Sequence, residues 1–186
     1  MPTALKLRPE LAWPVKFSAE EARTVVNRRL KTRTHLKTTL YHHPFLGLVF
    51  QSENPSTSIF TKIRGRQHPP GLIRAHVLVD LVGGRAYLSD AWDVKEFVAI
   101  RPTEQTSALQ DPEPVVDETA AIRAARAILA GVVLRRRKLS SITDLELIEP
   151  PIPLGKPNWW VTSEDANKST EVIVDGITGK HYAFSV

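Results

Sequence analysis

The sequence has no cysteine, no long hydrophobic run and none of the common catalytic motifs. Without cysteine there is no disulfide framework, no thiolate nucleophile and no Cys-ligated zinc or iron–sulfur site. The longest apolar run, 127–134, is interrupted by Gly131, whereas a membrane-spanning helix needs about 20 apolar residues. We therefore expect no membrane span.

A secretory signal pattern is also missing from the first residues. Charges and prolines occur throughout 1–16, and no apolar stretch of the length of a signal peptide core follows the first charges. The sequence therefore predicts a cytoplasmic protein.

The patterns GxxxxGK[ST], GxGxxG, HExxH and GxSxG are absent. A pairing of His76 or His181 with Asp80 or Asp175 would make an acid/base or metal site, but both aspartates are better explained as turn residues. We expect no catalytic residue, no metal site and no cofactor, so the sequence predicts a protein that is not an enzyme.

The chain of 186 residues is 42% hydrophobic and 24% charged, which is typical of one globular domain or two small ones. Its net charge of +5 is unevenly divided: residues 1–74 hold 13 Lys/Arg and 4 Asp/Glu, whereas 75–186 hold 12 and 16. A basic half is typical of a protein with an anionic partner. Alternatively, basic and acidic surfaces of one molecule neutralise each other.

Two segments 95 residues apart, 77–87 and 172–182, share five identical residues. Alternating apolar residues lead to an aspartate, Asp80 or Asp175, and a glycine follows four residues later. This pattern predicts a β-hairpin whose aspartate caps the turn amides and whose glycine adopts positive φ.

A helix signal precedes the strands of each half. Ser18 with Glu21 forms a capping box, and a second apolar stripe begins near Asp117. Pro44 and Pro157 each suit the first residue of a strand. We predict an α+β protein of two tandem repeats, each one helix packed on a small antiparallel sheet, with the repeats at 1–100 and 117–186 and a linker at 101–116.

The first predicted repeat is longer than the second by about 18 residues, because the offset is 113 at the prolines and 95 at the hairpins. The extra residues lie within 51–72 and include Lys62, Arg64 and Arg66. An insertion that departs from a shared scaffold is a candidate for function; the alternative is a hairpin extension without a role.

The helix and the strand Val-Ile-Val-Asp-Gly-Ile-Thr-Gly in 118–182 resemble the PepSY family. Segment 19–87 matches more loosely, since Gly83 replaces the turn threonine. The resemblance implies a small helix-plus-sheet unit that is non-enzymatic and associated with peptidase regulation or protein contact.

We expect a non-catalytic interaction or regulatory module that binds another macromolecule through its basic N-terminal half. A protein is the favoured partner, sequence-nonspecific nucleic-acid binding is the alternative, and a small-ligand or hydrolytic protein is a third possibility. The residues predicted to contact an anionic partner are basic: Arg28, Arg29, Lys31, Arg33, Lys62, Arg64, Arg66 and Arg74.

Tryptophans are the candidate contact anchors, namely Trp92, Trp159 and Trp160. Neighbouring residues of a strand point to opposite faces, so we predict that one of Trp159 and Trp160 enters the core.

Overall fold

The computed structural model describes residues 7–30, 36–52, 73–100, 111–135, 145–163 and 170–185. Within these ranges the chain forms two α-helices, α1 (Ala19–Leu30) and α2 (Glu118–Arg135), and nine strands. The strands are β1 (Leu11–Ala12), β2 (Leu36–Ser52), β3 (Ile73–Asp80), β4 (Ala86–Ser89), β5 (Val98–Ala99), β6 (Glu146–Leu147), β7 (Ile152–Ser163), β8 (Thr170–Asp175) and β9 (His181–Ser185). Neither described helix is long and apolar enough to span a membrane.

The strands form one mixed sheet in the order β4-β3-β2-β7-β1-β5. In addition, β6 pairs with β2, β8 pairs with β7, and β9 pairs with β8. The α+β class is therefore confirmed. The sheet is mixed rather than purely antiparallel because β1 runs parallel to β7, with Leu11 opposite Leu154. A long stretch of chain separates these two strands, as parallel pairing requires.

The chain divides into two compact units, and each draws on both halves of the sequence. Unit 1 comprises Met1–Arg8, Phe45–Asp93 and Pro114–Pro153, and unit 2 comprises Pro9–Pro44, Val94–Glu113 and Leu154–Val186. The sequence predicts two units that follow one another along the chain, with a linker at 101–116. In the structure, each unit instead combines the helix of one half of the sequence with hairpin strands of the other half.

The core of unit 1 lies between α2 and strands β2 and β3. Ala121, Ala125 and Leu129 repeat at four-residue spacing, so they form one apolar stripe along α2. The strands contribute alternate side chains from one face. These buried side chains are Leu46, Leu48, Phe50, Ala75, Val77 and Val79, and Leu81 of the following turn belongs to the same cluster.

Unit 2 has a smaller core beneath α1. Ala22 and Val26, again four residues apart, pack with Val161 of β7 and with Val172 and Val174 of β8. Leu36 joins the same cluster, and Trp159 packs against it. The helix from the first half of the sequence thus covers strands from the second half.

Both helices begin at the residues that the sequence predicts. The Ser18 amide donates to Glu21 Oε2 (2.7 Å), and the Glu21 amide donates to Ser18 Oγ (3.2 Å), which completes the capping box. Hydrogen bonds from the Ser18 amide and hydroxyl lower the pKa of Glu21. At the second helix, Asp117 Oδ1 accepts the Ala120 amide at 2.7 Å.

The two predicted hairpins are confirmed, with the same backbone hydrogen bonds in each. The Asp80 amide donates to Arg85 O (2.8 Å), and the Asp175 amide donates to Lys180 O (2.7 Å). Asp80 O accepts the Gly84 amide, just as Asp175 O accepts the amide four residues later. The turn glycines have φ of 70° and 69°, a conformation that other residues reach only at a cost.

The prediction that each proline begins a strand is wrong, since β2 and β7 extend on both sides of Pro44 and Pro157. Proline is excluded only where its missing N–H would donate to a ladder bond. The carbonyl of Pro157 still accepts the Gly176 amide at 2.9 Å. A strand can therefore continue through such a position.

Replacement of the two turn glycines separates a backbone effect from a packing effect. Gly84→Ala should lower the free energy of unfolding by about 1–2 kcal/mol, because alanine reaches this positive φ only at a cost. The added Cβ would lie 3.6 Å from Val116, an ordinary contact, so no packing loss is expected. Gly179→Ala should lose a further ~1–3 kcal/mol, because its Cβ would lie 2.5 Å from the Phe17 ring. Urea unfolding measures both; equal losses would contradict the close packing of Phe17 on this turn.

Candidate interaction surface

Three apolar side chains lie in register across β7, β8 and β9 of unit 2. Trp160 is opposite Ile173, and Ile173 is opposite Tyr182. Adjacent Trp159 and Val161 pack toward α1, so strand alternation places Trp160 on the opposite face. We call Trp160, Ile173 and Tyr182 the apolar row.

The apolar row is accessible mainly at Tyr182, which is 58% exposed, whereas Trp160 and Ile173 are partly buried. Neighbouring strands lie about 4.8 Å apart, so the backbones of Trp160 and Tyr182 are about 10 Å apart. The row thus extends across three neighbouring strands.

The corresponding row in unit 1 consists of Gly47, Leu78 and Tyr87, which are also in register. Tyr87 is 45% exposed, but glycine occupies the position that matches Trp160. Unit 1 therefore has only one aromatic side chain in this row. The apolar row was not predicted from the sequence. Its signal was present, since Tyr182 repeats Tyr87 at an offset of 95 residues and Trp160 replaces Gly47 at an offset of 113.

Two lysines border the apolar row on the side of the hairpin turn. Lys156 Nζ lies 2.6 Å from Asp175 Oδ2, and the Asp175 side chain is only 7% exposed. Lys180, which accepts the Asp175 amide through its carbonyl, is exposed. On the other side of the row, Glu171 is opposite Thr162.

The carboxylate of Asp175 is held in its charged form. Burial raises the pKa of Asp175, but the hydrogen bond from Lys156, the amides of Ile177 and Thr178 and the lysine charge together lower it below its usual value. The two amides donate to Oδ1 at 2.8 and 3.1 Å. This carboxylate therefore joins the turn to β7.

Asp80 has the same turn role in unit 1. Its Oδ1 accepts the amides of Val82 and Gly83 at 2.9 and 3.0 Å. The turn role predicted for both aspartates is thus confirmed. In unit 2, His181 is opposite Val174, whose side chain faces α1, so His181 and Asp175 point to opposite faces of the sheet.

Next to the apolar row, Tyr41 and Asn158 form a buried polar pair. Burial raises the pKa of the Tyr41 hydroxyl, and its hydrogen bond with Asn158 opposes that shift. Asn158 is itself buried and lies opposite Asp175 in the register. A buried polar side chain is tolerated when it is hydrogen-bonded, so this pair fixes the strands beside the row.

Of the two neighbouring tryptophans, Trp159 is the one that packs with the core, as one of them was predicted to do. Its Nε1 donates to Phe17 O at 2.6 Å, which ties β7 to the segment before α1. Trp159 therefore has a structural role, and Trp160 remains the candidate anchor.

Trp92 lies in unit 1 and packs edge-on against the His76 ring, with ring centroids 4.5 Å apart. Its backbone amide approaches His76 Nδ1 at 3.5 Å. The indole Nε1 is buried without a hydrogen-bond partner in the described part of the chain. Its packing on His76 leaves Trp92 partly buried.

The basic residues predicted to contact a partner are only partly described. Arg28 and Arg29 are exposed at the end of α1 in unit 2. Arg74 of unit 1 is 51% exposed, with Nη1 3.9 Å from Glu149. The other predicted basic contacts lie outside the described residues: Lys31, Arg33, Lys62, Arg64 and Arg66. Residues 53–72 of the predicted insertion also lie outside them.

Comparison with known proteins gave no relative. The sequence matches no family model, and no curated protein or solved structure matches it. A function for this chain is therefore inferred from the chemistry of its own described residues.

Asp175→Asn tests the buried ion pair through its pH dependence. Asparagine can still accept the turn amides but cannot pair with Lys156, so we expect a loss of about 1–3 kcal/mol at pH 7. Because folding lowers the pKa of Asp175, the carboxylate stabilises the fold above its unfolded pKa of about 4, and this contribution is lost as pH falls through the folded pKa.

Urea unfolding from pH 7 to pH 2 should therefore show the two proteins converging at low pH. Glu146→Gln, at an exposed position of β6, is the control and should change stability little. A pH-independent difference between Asp175→Asn and the parent protein would contradict the ion pair.

Proposed function

We propose that this protein is a non-catalytic interaction module that binds another protein through the apolar row of unit 2. The observation that carries the proposal is the register of Trp160, Ile173 and Tyr182 on the strand face opposite α1. Aromatic side chains at the centre of an interface contribute most of its binding energy, and Trp and Tyr are the most enriched types.

The lysines beside the row support a contact surface rather than a wholly internal packing layer. Lys180 is exposed, and the Lys156 side chain, whose ammonium pairs with Asp175, is 29% exposed. An apolar centre with a polar, solvated rim is the usual composition of a protein interface.

The proposal includes two diverged copies of one helix-plus-hairpin element, similar to PepSY units. The five identities at an offset of 95 and the matching hydrogen bonds at Asp80 and Asp175 support this inference. The non-enzymatic role follows from the resemblance, in which the repeated aspartate has a turn function.

Nucleic-acid binding is the second candidate, and the exposure of Arg28 and Arg29 favours it. Neither arginine forms an ion pair with another described residue, and the chain carries a net charge of +5. Exposed arginines contact phosphates without sequence preference. Here the contact would lie at the end of α1 and not at the apolar row.

Site-specific photocrosslinking in the native host tests the proposal. Tyr182→p-benzoylphenylalanine should give one discrete adduct that a protease removes and a nuclease leaves intact. Tyr87→p-benzoylphenylalanine is the matched control, because Tyr87 is similarly exposed but has no tryptophan in its row.

Equal adducts at the two positions, or none, would contradict the apolar row as the contact surface. A nuclease-sensitive adduct that disappears on replacement of Arg28 and Arg29 by alanine would instead establish the second candidate.

A further inference from the structure

We propose that the partner presents an acidic segment with a central apolar side chain to the apolar row of unit 2. This inference rests on the proposed function and specifies the chemistry of the partner. Its basis is the unequal distribution of charge on the two sides of the row.

Cations border the row on the side of the turn. Along β8, Asp175 follows Ile173 by two residues, so Asp175 and the Lys156 ammonium beside it lie on the face of the row. Lys180 precedes Tyr182 by two residues, so strand alternation places it on this face as well. The buried Asp175 carboxylate compensates only Lys156, so that the exposed Lys180 adds a net positive charge.

A third lysine has the same orientation at the start of β2. Leu36 packs beneath α1, so strand alternation directs the exposed Lys37 to the opposite face, the face of the apolar row. Lys156 and Lys180 beside the row, with Lys37 elsewhere on the same face, favour carboxylates in a partner that covers this face. Opposite charges across an interface raise the association rate and select the partner.

Glu171 argues against a uniform polyanion as the occupant. Glu171 precedes Ile173 by two residues on β8, so it lies on the same face, and it is opposite Thr162. It is therefore on the side of the row away from the turn. A single-stranded nucleic acid has one phosphate per nucleotide and would bring charge near Glu171 as well. A peptide can place its carboxylates toward Lys180 and an uncharged residue toward Glu171.

Tyr182 and Ile173 define what the centre of the segment must be. The exposed aromatic ring and the aliphatic side chain next to it offer an apolar contact two strands wide. A phenylalanine, tryptophan or leucine of the partner would cover both and exclude water from them.

Selection from a phage-displayed library of random dodecapeptides on the full-length protein tests this chemistry. The enriched peptides should combine an aromatic or leucine residue with Asp or Glu within a few positions. In fluorescence anisotropy, Tyr182→Ala should weaken their binding about tenfold or more, and Lys180→Glu about three- to fivefold.

Unit 1 supplies the matched controls. Tyr87→Ala and Arg85→Glu alter the equivalent exposed positions of the other hairpin and should leave the affinity unchanged within about twofold. Urea unfolding of all four variants checks that the losses do not arise from unfolding.

Several results would overturn the inference: no enrichment, enrichment of basic or uncharged peptides, or an equal loss in Tyr87→Ala. Binding of labelled oligothymidylate that depends on Tyr182 would overturn it in favour of nucleic acid. If the crosslink from position 182 to a protein persists while the selected peptides lack acidic residues, the proposed function stands and only the acidic chemistry fails.

Discussion

One backbone carbonyl at each hairpin holds two amides of the segment that leads into a helix, and the packing of each unit depends on this arrangement. Leu81 O accepts the amides of Val115 and Val116 at 2.9 Å in unit 1. In unit 2, Gly176 O accepts those of Lys16 and Phe17 at 2.8 and 2.9 Å. Each carbonyl thus joins a helix to a hairpin that is distant in sequence. The cap that follows, Ser18 or Asp117, then accepts an amide of the first helical turn.

The candidate surface depends on the same constraint in unit 2. Once the Phe17 segment is attached to the turn, α1 covers the face of β7 and β8 that contains Trp159 and Val161. The alternating side chains, Trp160 among them, then belong to the other face. The pair of Lys156 and Asp175 joins β7 to the turn and also places a cation at the edge of the apolar row. The contacts that stabilise the hairpin therefore also determine the charge around the row.

Local features could be predicted from the sequence because short-range chemistry determines them. Glycine at positive φ, the aspartate turns and the caps at Ser18 and Asp117 each depend on a few neighbouring residues. The sheet that each helix covers could not be predicted, because a stripe such as Ala22 and Val26 identifies an apolar face but not its partner strand. The contact of Lys156 with Asp175 could not be predicted for the same reason, because it depends on the register of β7 and β8 and joins residues 19 positions apart. Strand alternation alone predicts opposite faces for two neighbouring tryptophans, but not which one packs with the core.

Methyl–methyl nuclear Overhauser effects in the isotopically labelled protein would test most directly that each helix packs on strands from the other half of the sequence. We predict cross-peaks from Ala22 or Val26 of α1 to Val161, Val172 or Val174, and from Ala121 or Leu129 of α2 to Val77 or Val79. Cross-peaks from Val26 to Val77 and from Leu129 to Val172 would contradict the account, since they would pack each helix on the strands of its own half.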